Sequence, residues 1–263
     1  MEIFGWAMAV VIGLTLGLLG GGGSILTVPV LVYLFALDPV TATGYSLFIV
    51  GLSSLFGAFS YWTSKLIDLK VSAIFGSASI AAVYLARRVI VPSIPDEMFR
   101  IGEVVITRDA GIMVLFALLM LAASYSMIKG GVKENGVKAP VKYNYLSLLL
   151  QGAIIGILVG LVGAGGGFLI IPALVMFSKL PIKTAVGTSL SIIAVNSLIG
   201  FIGDLQTRTM DWRFLLLFTA LAVVGILAGT KLASFVPSKK LKPAFGWFVL
   251  VMGVYILAKE TLF

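Results

Sequence analysis

The chain is built from long apolar runs, with its charged residues gathered between them. Ile3 to Leu37 and Tyr143 to Ser178 contain no Asp, Glu, Lys or Arg, and shorter uncharged runs cover 39–64, 71–86, 110–128, 184–203, 214–230 and 243–258. Runs of about 17–25 apolar residues have the length of membrane-spanning helices. The alternation over about ten residues that a membrane β-strand requires is absent. The pattern predicts an all-α integral membrane protein, a polytopic helical bundle.

Two of these runs are interrupted from within. The stretch "LGLLGGGGSILTVPVL", residues 16–31, sets Gly20 to Gly23 inside the uncharged run 3–37. As one helix that run would be about 52 Å long, well beyond a hydrocarbon core of about 30 Å, while two complete spans and a turn need about 40 residues. The economical solution is a hairpin of two short helices hinged at Gly20–Gly23, with one arm too short to cross. The same holds at "GAGGG", Gly163–Gly167. Irregular backbone at membrane depth is tolerated where it is buried in protein or lines a watery cavity. Both hinges are therefore candidate binding sites.

The interruptions recur because the chain repeats itself. At a constant offset of 143 residues, Gly13–Trp62 aligns with Gly156–Leu205 without a gap, and 20 of the 50 positions are identical, among them Gly13, Gly17, Gly20, Gly22, Gly23, Pro29, Thr41, Gly44, Ser46, Ser54 and Gly57. Shared lipid-facing composition would not align Gly, Pro, Thr and Ser together, so the chain reads as an internal duplication. The expected organisation is a first transmembrane repeat over 1–128, a polar linker over 129–142 and a second repeat over 143–263. Each repeat carries five apolar segments, about 3–19, 24–36, 40–62, 69–86 and 110–128, then 145–162, 168–178, 184–203, 213–231 and 244–258. "VPS" recurs at 91–93 and 236–238. The extra piece "DEMFRIGEVVITRDA", 96–110, reads equally as a small extramembrane hairpin or a covering loop.

The helix after each hinge offers unsatisfied N–H groups and the positive end of its dipole, which suit an anion. Candidate substrate-binding residues are Gly21, Gly22, Gly23 and Ser24 at the first hinge and Gly165, Gly166 and Gly167 at the second. Ser24 is expected at an N-cap with its hydroxyl free to donate, and its counterpart is Gly167. Pro29 and Pro172 are expected to kink the short arms. In the next segment Ser46, Ser53 and Ser60 recur every seven residues and share a helical face, the repeat sets Ser189 and Asn196 opposite the first two, and Thr43 and Thr188 lie close by. The candidate set therefore adds Ser46, Ser53, Thr188, Ser189 and Asn196. The competing explanation for the hydroxyls is helix-to-helix hydrogen bonding, and for Gly13, Gly17, Gly156 and Gly160, spaced by four, close helix packing.

Composition narrows the chemistry. With 60% hydrophobic residues, 11% charged and a mean hydropathy of +1.12, the chain lies far outside soluble domains, where about 25% charged is usual. No basic segment precedes the first apolar run, which is expected to be the first membrane segment and not a cleaved signal peptide. The chain has no Cys and no His, which leaves no thiol or zinc chemistry and no Ser–His or Cys–His catalysis; an enzyme is not expected, and no cofactor or metal is called for. The net charge of +8 is spread over connecting loops and suits lipid headgroups and topology, not nucleic acid.

Hairpins that return to their starting side leave each half with an odd number of crossings, so that the halves are inverted, the plan of many secondary transporters. Under that plan twelve Lys and Arg fall on one side, from Lys65 to Lys242, and seven on the other, Arg87, Arg88, Arg100, Arg108, Arg208, Arg213 and Lys259. The bias favours inversion, with the twelve cytoplasmic and both termini outside. Treating each glycine element as a single broken span gives nine against ten and no bias. No fixed cation is expected in the membrane core, and Asp204, near Arg208, is the only acid close to a candidate site.

"GLTLGLLGGGGSILTVPVLVY" and "GILVGLVGAGGGFLIIPALVM", followed by "TATGYSL" and "TAVGTSL", resemble the TauE/SafE family of sulfite exporters, also called the toluene-sulfonate uptake permease family. The resemblance covers nearly the whole chain, and its glycine motif falls on Gly13, Gly17, Gly20, Gly22, Gly23, Gly156, Gly160, Gly163, Gly165, Gly166 and Gly167. Departures are Ser24, where a glycine is common, and the residues around 96–110. The resemblance implies a multi-pass permease of the bacterial or archaeal cytoplasmic membrane for sulfite, sulfonates such as sulfoacetate, or related anions. Three hypotheses follow: a transporter of small sulfur-containing anions by alternating access between the repeats, an anion channel or facilitator, and an intramembrane enzyme or assembly factor, the poorest fit. The expected partners are a small anion and the lipid bilayer. A coupling ion, proton or sodium, and assembly as a homodimer are left open, as are substrate identity and direction.

Overall fold

The structure is a computed structural model that describes residues 2–21, 23–101, 104–129, 144–205, 210–233, 235 and 238–262. Most of the linker 129–142, together with Gly22 and Arg208, lies outside these residues. Eleven α-helices are described: α1 (Glu2–Leu19), α2 (Ser24–Leu34), α3 (Pro39–Thr63), α4 (Leu69–Leu85), α5 (Val91–Ser93), α6 (Arg108–Lys129), α7 (Tyr145–Val162), α8 (Gly167–Met176), α9 (Ile182–Leu205), α10 (Trp212–Ala233) and α11 (Ser238–Leu262). A π-helical turn, Ala86–Ile90, joins α4 to α5. Among the described residues six helices are long and apolar enough to cross a membrane, including α3, α9 and the continuous Leu69–Ser93. The protein is a polytopic helical membrane protein. The segment expected over 69–86 thus runs on to Ser93, since Pro92 lies in the first turn of α5, where its missing N–H is harmless.

Helix starts follow their caps. Asp38 accepts from Thr41 N (2.9 Å), Asp68 from Val71 N (3.0 Å) and Asn144 from Ser147 N (3.2 Å), each satisfying an N–H that a helix start leaves open. Residues 96–110 resolve into a two-stranded antiparallel hairpin, β1 (Glu97–Ile101) and β2 (Val104–Thr107), closed at its base by the Arg108–Asp96 ion pair (2.9 Å). Of the two readings of that segment, the hairpin is the one found.

The two uncharged runs break at their glycines. α1 ends at Gly20 (φ +63°) and α7 at Gly163 (φ +70°), each donating its N–H to the carbonyl four residues back at 2.8 Å. Any other residue pays about 1–2 kcal/mol for this left-handed conformation, and glycine does not. α2 and α8, at 11 and 10 residues, extend only about 17 and 15 Å, too short to cross. α2 folds back along α1: its last turn places Phe35 against Trp6, ring centroids 5.6 Å apart. Pro29 and Pro172 lie inside these two helices without ending them.

Helix pairing crosses between the halves. α1 packs on α10 and α4 on α7, while α3 pairs with α9 and α6 with α11. The directions can be read from the close glycine approaches. Gly13 and Gly17 on α1 meet Ala222 and Ile226 on α10 in ascending order, and Gly152, Gly156 and Gly160 on α7 meet Phe75, Ser79 and Ala86 on the Leu69–Ser93 helix, also ascending. Both pairs are parallel. Along α3, Gly44, Gly51 and Gly57 meet Asp204, Leu198 and Leu190 of α9, descending, so that pair is antiparallel. Gly13, Gly17, Gly156 and Gly160 each lie against the neighbouring helix's backbone, which lets helices approach closely in lipid.

Candidate functional site

The glycine breaks lie against the α3–α9 pair, each on the helix of the other half. A Cβ on Gly20 would strike Val186 of α9, and one on Gly21 would strike Ile193; a Cβ on Gly163 would strike Thr43 of α3, and one on Gly165 would strike Val50. The breaks also touch one another, since a Cβ on Gly167 would meet the carbonyl carbon and oxygen of Gly21 at 2.6 and 2.7 Å. The starts of α2 and α8 are thus brought together in the interior.

Polar groups buried from all solvent lie on α2 and on the two helices the breaks touch. Ser46, Ser53 and Ser54 on α3, Asn196 and Ser197 on α9, and Thr27 on α2 are each 0% exposed. The hydroxyls of Thr27, Ser46, Ser53, Ser54 and Ser197 and the Asn196 amide oxygen have no hydrogen-bond partner among the described residues. A buried polar group without a partner costs about 1–3 kcal/mol, and such groups in a native fold call for a ligand or water. Ser53–Ser54 and Asn196–Ser197 are equivalent under the 143-residue offset, and both pairs sit near the middle of their helices. Ser197 Oγ is 3.3 Å from where a Cβ of Gly165 would be, so the second break reaches this group.

Other candidates have partners within the protein. Ser189 Oγ lies 2.7 Å from Gly20 O and 2.8 Å from Val186 O, tying α9 to the first break. Thr188 Oγ1 accepts from Asp68 N (2.9 Å), away from the breaks at the start of α4, and Asn196 Nδ2 donates to Ser79 Oγ at 2.6 Å. Ser60 is only partly buried. The expectation for Ser24 is corrected: Gly23 occupies the N-cap, Ser24 opens α2, and its hydroxyl donates to Gly21 O at 2.6 Å. Its short side chain bends back onto the turn, as serine does at helix starts. Gly23, Gly166 and Gly167 are buried, with Gly166 at φ +73° against Val159 of its own hairpin.

A larger correction concerns charge. The protein interior does contain a fixed cation, on a helix long and apolar enough to span: Arg87 is 0% exposed, its Nη1 lies 3.3 Å from Asp204 Oδ2, and it donates to Thr43 Oγ1 at 3.0 Å. Asp204 itself is 3% exposed. Arg87 therefore belongs to the span and not to a connecting loop, and Asp204 finds its cation 117 residues back in the chain. The guanidinium lies against Gly163, where a Cβ would collide with Nη2. Arg87 occupies the second position of the π-turn, a helical irregularity that often marks functional sites. Among the described residues no three His, Cys, Asp or Glu cluster as metal ligands.

The helices, the paired breaks and the buried polar interior define a multi-pass membrane transporter. A model of the Sulfite exporter TauE/SafE family matches residues 5–256, and the chain belongs to that family. It is 27% identical over 253 residues to a probable membrane transporter protein of Xylella fastidiosa, covering 94% of this chain and 91% of the relative. It is 26% identical over 268 residues to one from Methanocaldococcus jannaschii, covering 95% and 94%, and 28% identical over 258 residues to one from Bacillus subtilis, covering 89% of each. No solved structure matches the chain.

Proposed function

We propose that the protein carries small sulfur-containing anions, such as sulfite or sulfonates, across the cytoplasmic membrane by alternating access between two inverted halves. The observation that carries this reading is the meeting of the two glycine breaks, Gly21 against Gly167, beside buried hydroxyls that have no partner among the described residues. An oxyanion offers three or more acceptor oxygens to a set of short donors. The donors proposed are the backbone N–H groups of Gly23, Gly166 and Gly167 at the starts of α2 and α8, with the hydroxyls of Ser46, Ser53, Ser54 and Ser197; the Ser24 N–H and hydroxyl are both taken by Gly21 O. Asn196 contributes by fixing Ser79 and closing the same side.

Inversion is supported by direction. Sequence-equivalent helices α3 and α9 run antiparallel, and the exchanged pairs α1–α10 and α4–α7 are both parallel, as a two-fold axis in the membrane plane requires. The repeat boundaries near 128 and 143 belong to the same proposal. Alternating access then means that one half rocks against the other about the α3–α9 crossing.

The test is uptake of labelled sulfite, sulfoacetate, taurine and thiosulfate into liposomes holding the purified protein, with empty liposomes as the control. The expected result is saturable flux of at least one anion, competed by the others. Absence of flux for every member overturns the substrate class. Flux without saturation would favour a channel over a carrier.

A further inference from the structure

We propose that Arg87 is the cation that receives the transported oxyanion, and that Asp204 holds its place when no anion is bound. The inference rests on the anion reading above and adds a charged site to it.

Arg87 lies in the span Leu69–Ser93, six residues and about 9 Å short of its end. An ionisable residue at such depth is rare and tends to serve function. Its contacts join three elements. The guanidinium touches Asp204 at the end of α9, Thr43 on α3 and the second glycine break at Gly163. A carboxylate presents to a guanidinium the same paired oxygens that a sulfite or sulfonate would. Asp204 thus resembles a built-in copy of the substrate's head group, and the Arg87 fork lies where the neighbouring break would deliver the real one.

Exchange moves the carboxylate. An anion that takes Arg87 displaces Asp204, whose carboxylate already abuts the Cα side of Gly44. Asp204 on α9, Thr43 on α3 and Gly163 after α7 pack against Arg87, and Arg88, next in the chain, is exposed.

The first half has no such set at the positions the offset equates. Where the second break meets Thr43, the first meets Val186, and Asp204 corresponds to Tyr61. The charged receptor therefore belongs to one end of the bundle only.

Sulfite uptake into proteoliposomes at a single fixed pH tests this in four proteins: wild type, Asp204→Asn, Arg87→Gln and the double variant Arg87→Gln/Asp204→Asn, with folding followed by size exclusion and thermal unfolding. Asp204→Asn removes the competing carboxylate and should show a KM no higher than wild type. The double variant removes both charges and should fold, yet its KM should rise at least tenfold. Wild-type uptake by the double variant would reduce the pair to a structural ion pair and overturn the inference while leaving anion transport intact. So would an Asp204→Asn variant that loses affinity as the double variant does. Absence of uptake by wild type would overturn the anion reading and this inference together.

Discussion

The two glycine breaks share a sequence and differ in what they touch. At the first, Gly20 and Gly21 rest on the aliphatic Val186 and Ile193, and the break is tied to α9 by the Ser189 hydroxyl. At the second, Gly163 rests on Thr43 and on the guanidinium of Arg87, which is paired with Asp204. The C-terminal ends of α1 and α7 are nearly the same, with left-handed Gly20 and Gly163 and matching 2.8 Å bonds. Past them the breaks part: Gly23 stands at φ −70° and Gly166 at +73°, and the surroundings are a neutral hydroxyl latch at one break and a charge latch at the other. Under the proposed alternating access, such a difference would let one break respond to charge and the other to packing.

The strongest way to break the comparison is at the charge latch. Arg87→Gln removes the cation beside a buried carboxylate, which typically costs about 3–5 kcal/mol. A marked fall in thermal stability is expected, with most of it restored by adding Asp204→Asn; equal instability of the single and double variants would mean that Arg87 acts through packing alone. Next in size is the contact between the breaks. Gly167→Ala places a methyl against the backbone of Gly21, and overpacking costs about 1–3 kcal/mol where neighbours can shift. Lower folded yield and still lower uptake are expected, and unchanged values of both would show that the breaks do not close on one another. Ser189→Ala is smaller. It leaves Gly20 O without this donor, a loss of about 1 kcal/mol, read as a fall in the melting temperature of the purified protein.

The helices were legible in the sequence because their signal is local. An uncharged run longer than one span and shorter than two is expected to turn, and the glycine clusters were the expected place; α1 ends at Leu19 and α2 begins at Ser24, and α7 ends at Val162 and α8 begins at Gly167. Tight packing at Gly13, Gly17, Gly156 and Gly160 was also readable, from spacing by four. What could not be read was local in appearance and non-local in fact. Arg87 follows an uncharged run and precedes Arg88, so it looks like the end of a span, yet the helix continues to Ser93 and Arg87, four residues after Val83, lies on its buried face. Its partner Asp204 lies 117 residues away, and pairing at that separation leaves no mark on spacing. Ser54 and Ser197 did leave a mark, as identical positions in the repeat adjoining Ser53 and Asn196. A reading that weighted repeat identity above heptad spacing would have included them. Ser24 was placed correctly in the chain, but its hydroxyl satisfies the turn before any ligand.

The finest test compares Ser189 with its sequence equivalent Ser46. Both hydroxyls are fully buried, on antiparallel helices, and only Ser189 has a partner among the described residues. Deleting a bonded hydroxyl removes a bond and strands a carbonyl; deleting an unbonded one removes a group whose burial was itself unfavourable. Ser46→Ala should therefore change stability by less than about 0.5 kcal/mol or raise it slightly. If that hydroxyl is kept for an anion, the same substitution should raise the KM for sulfite several-fold, since losing one hydrogen bond to a charged group is worth about 1.5–3 kcal/mol, reduced where water takes its place. Ser189→Ala should show the reverse pattern, a lower melting temperature with KM little changed. Parallel behaviour of the two variants would erase the distinction between the breaks, and it would return Ser46 to helix packing.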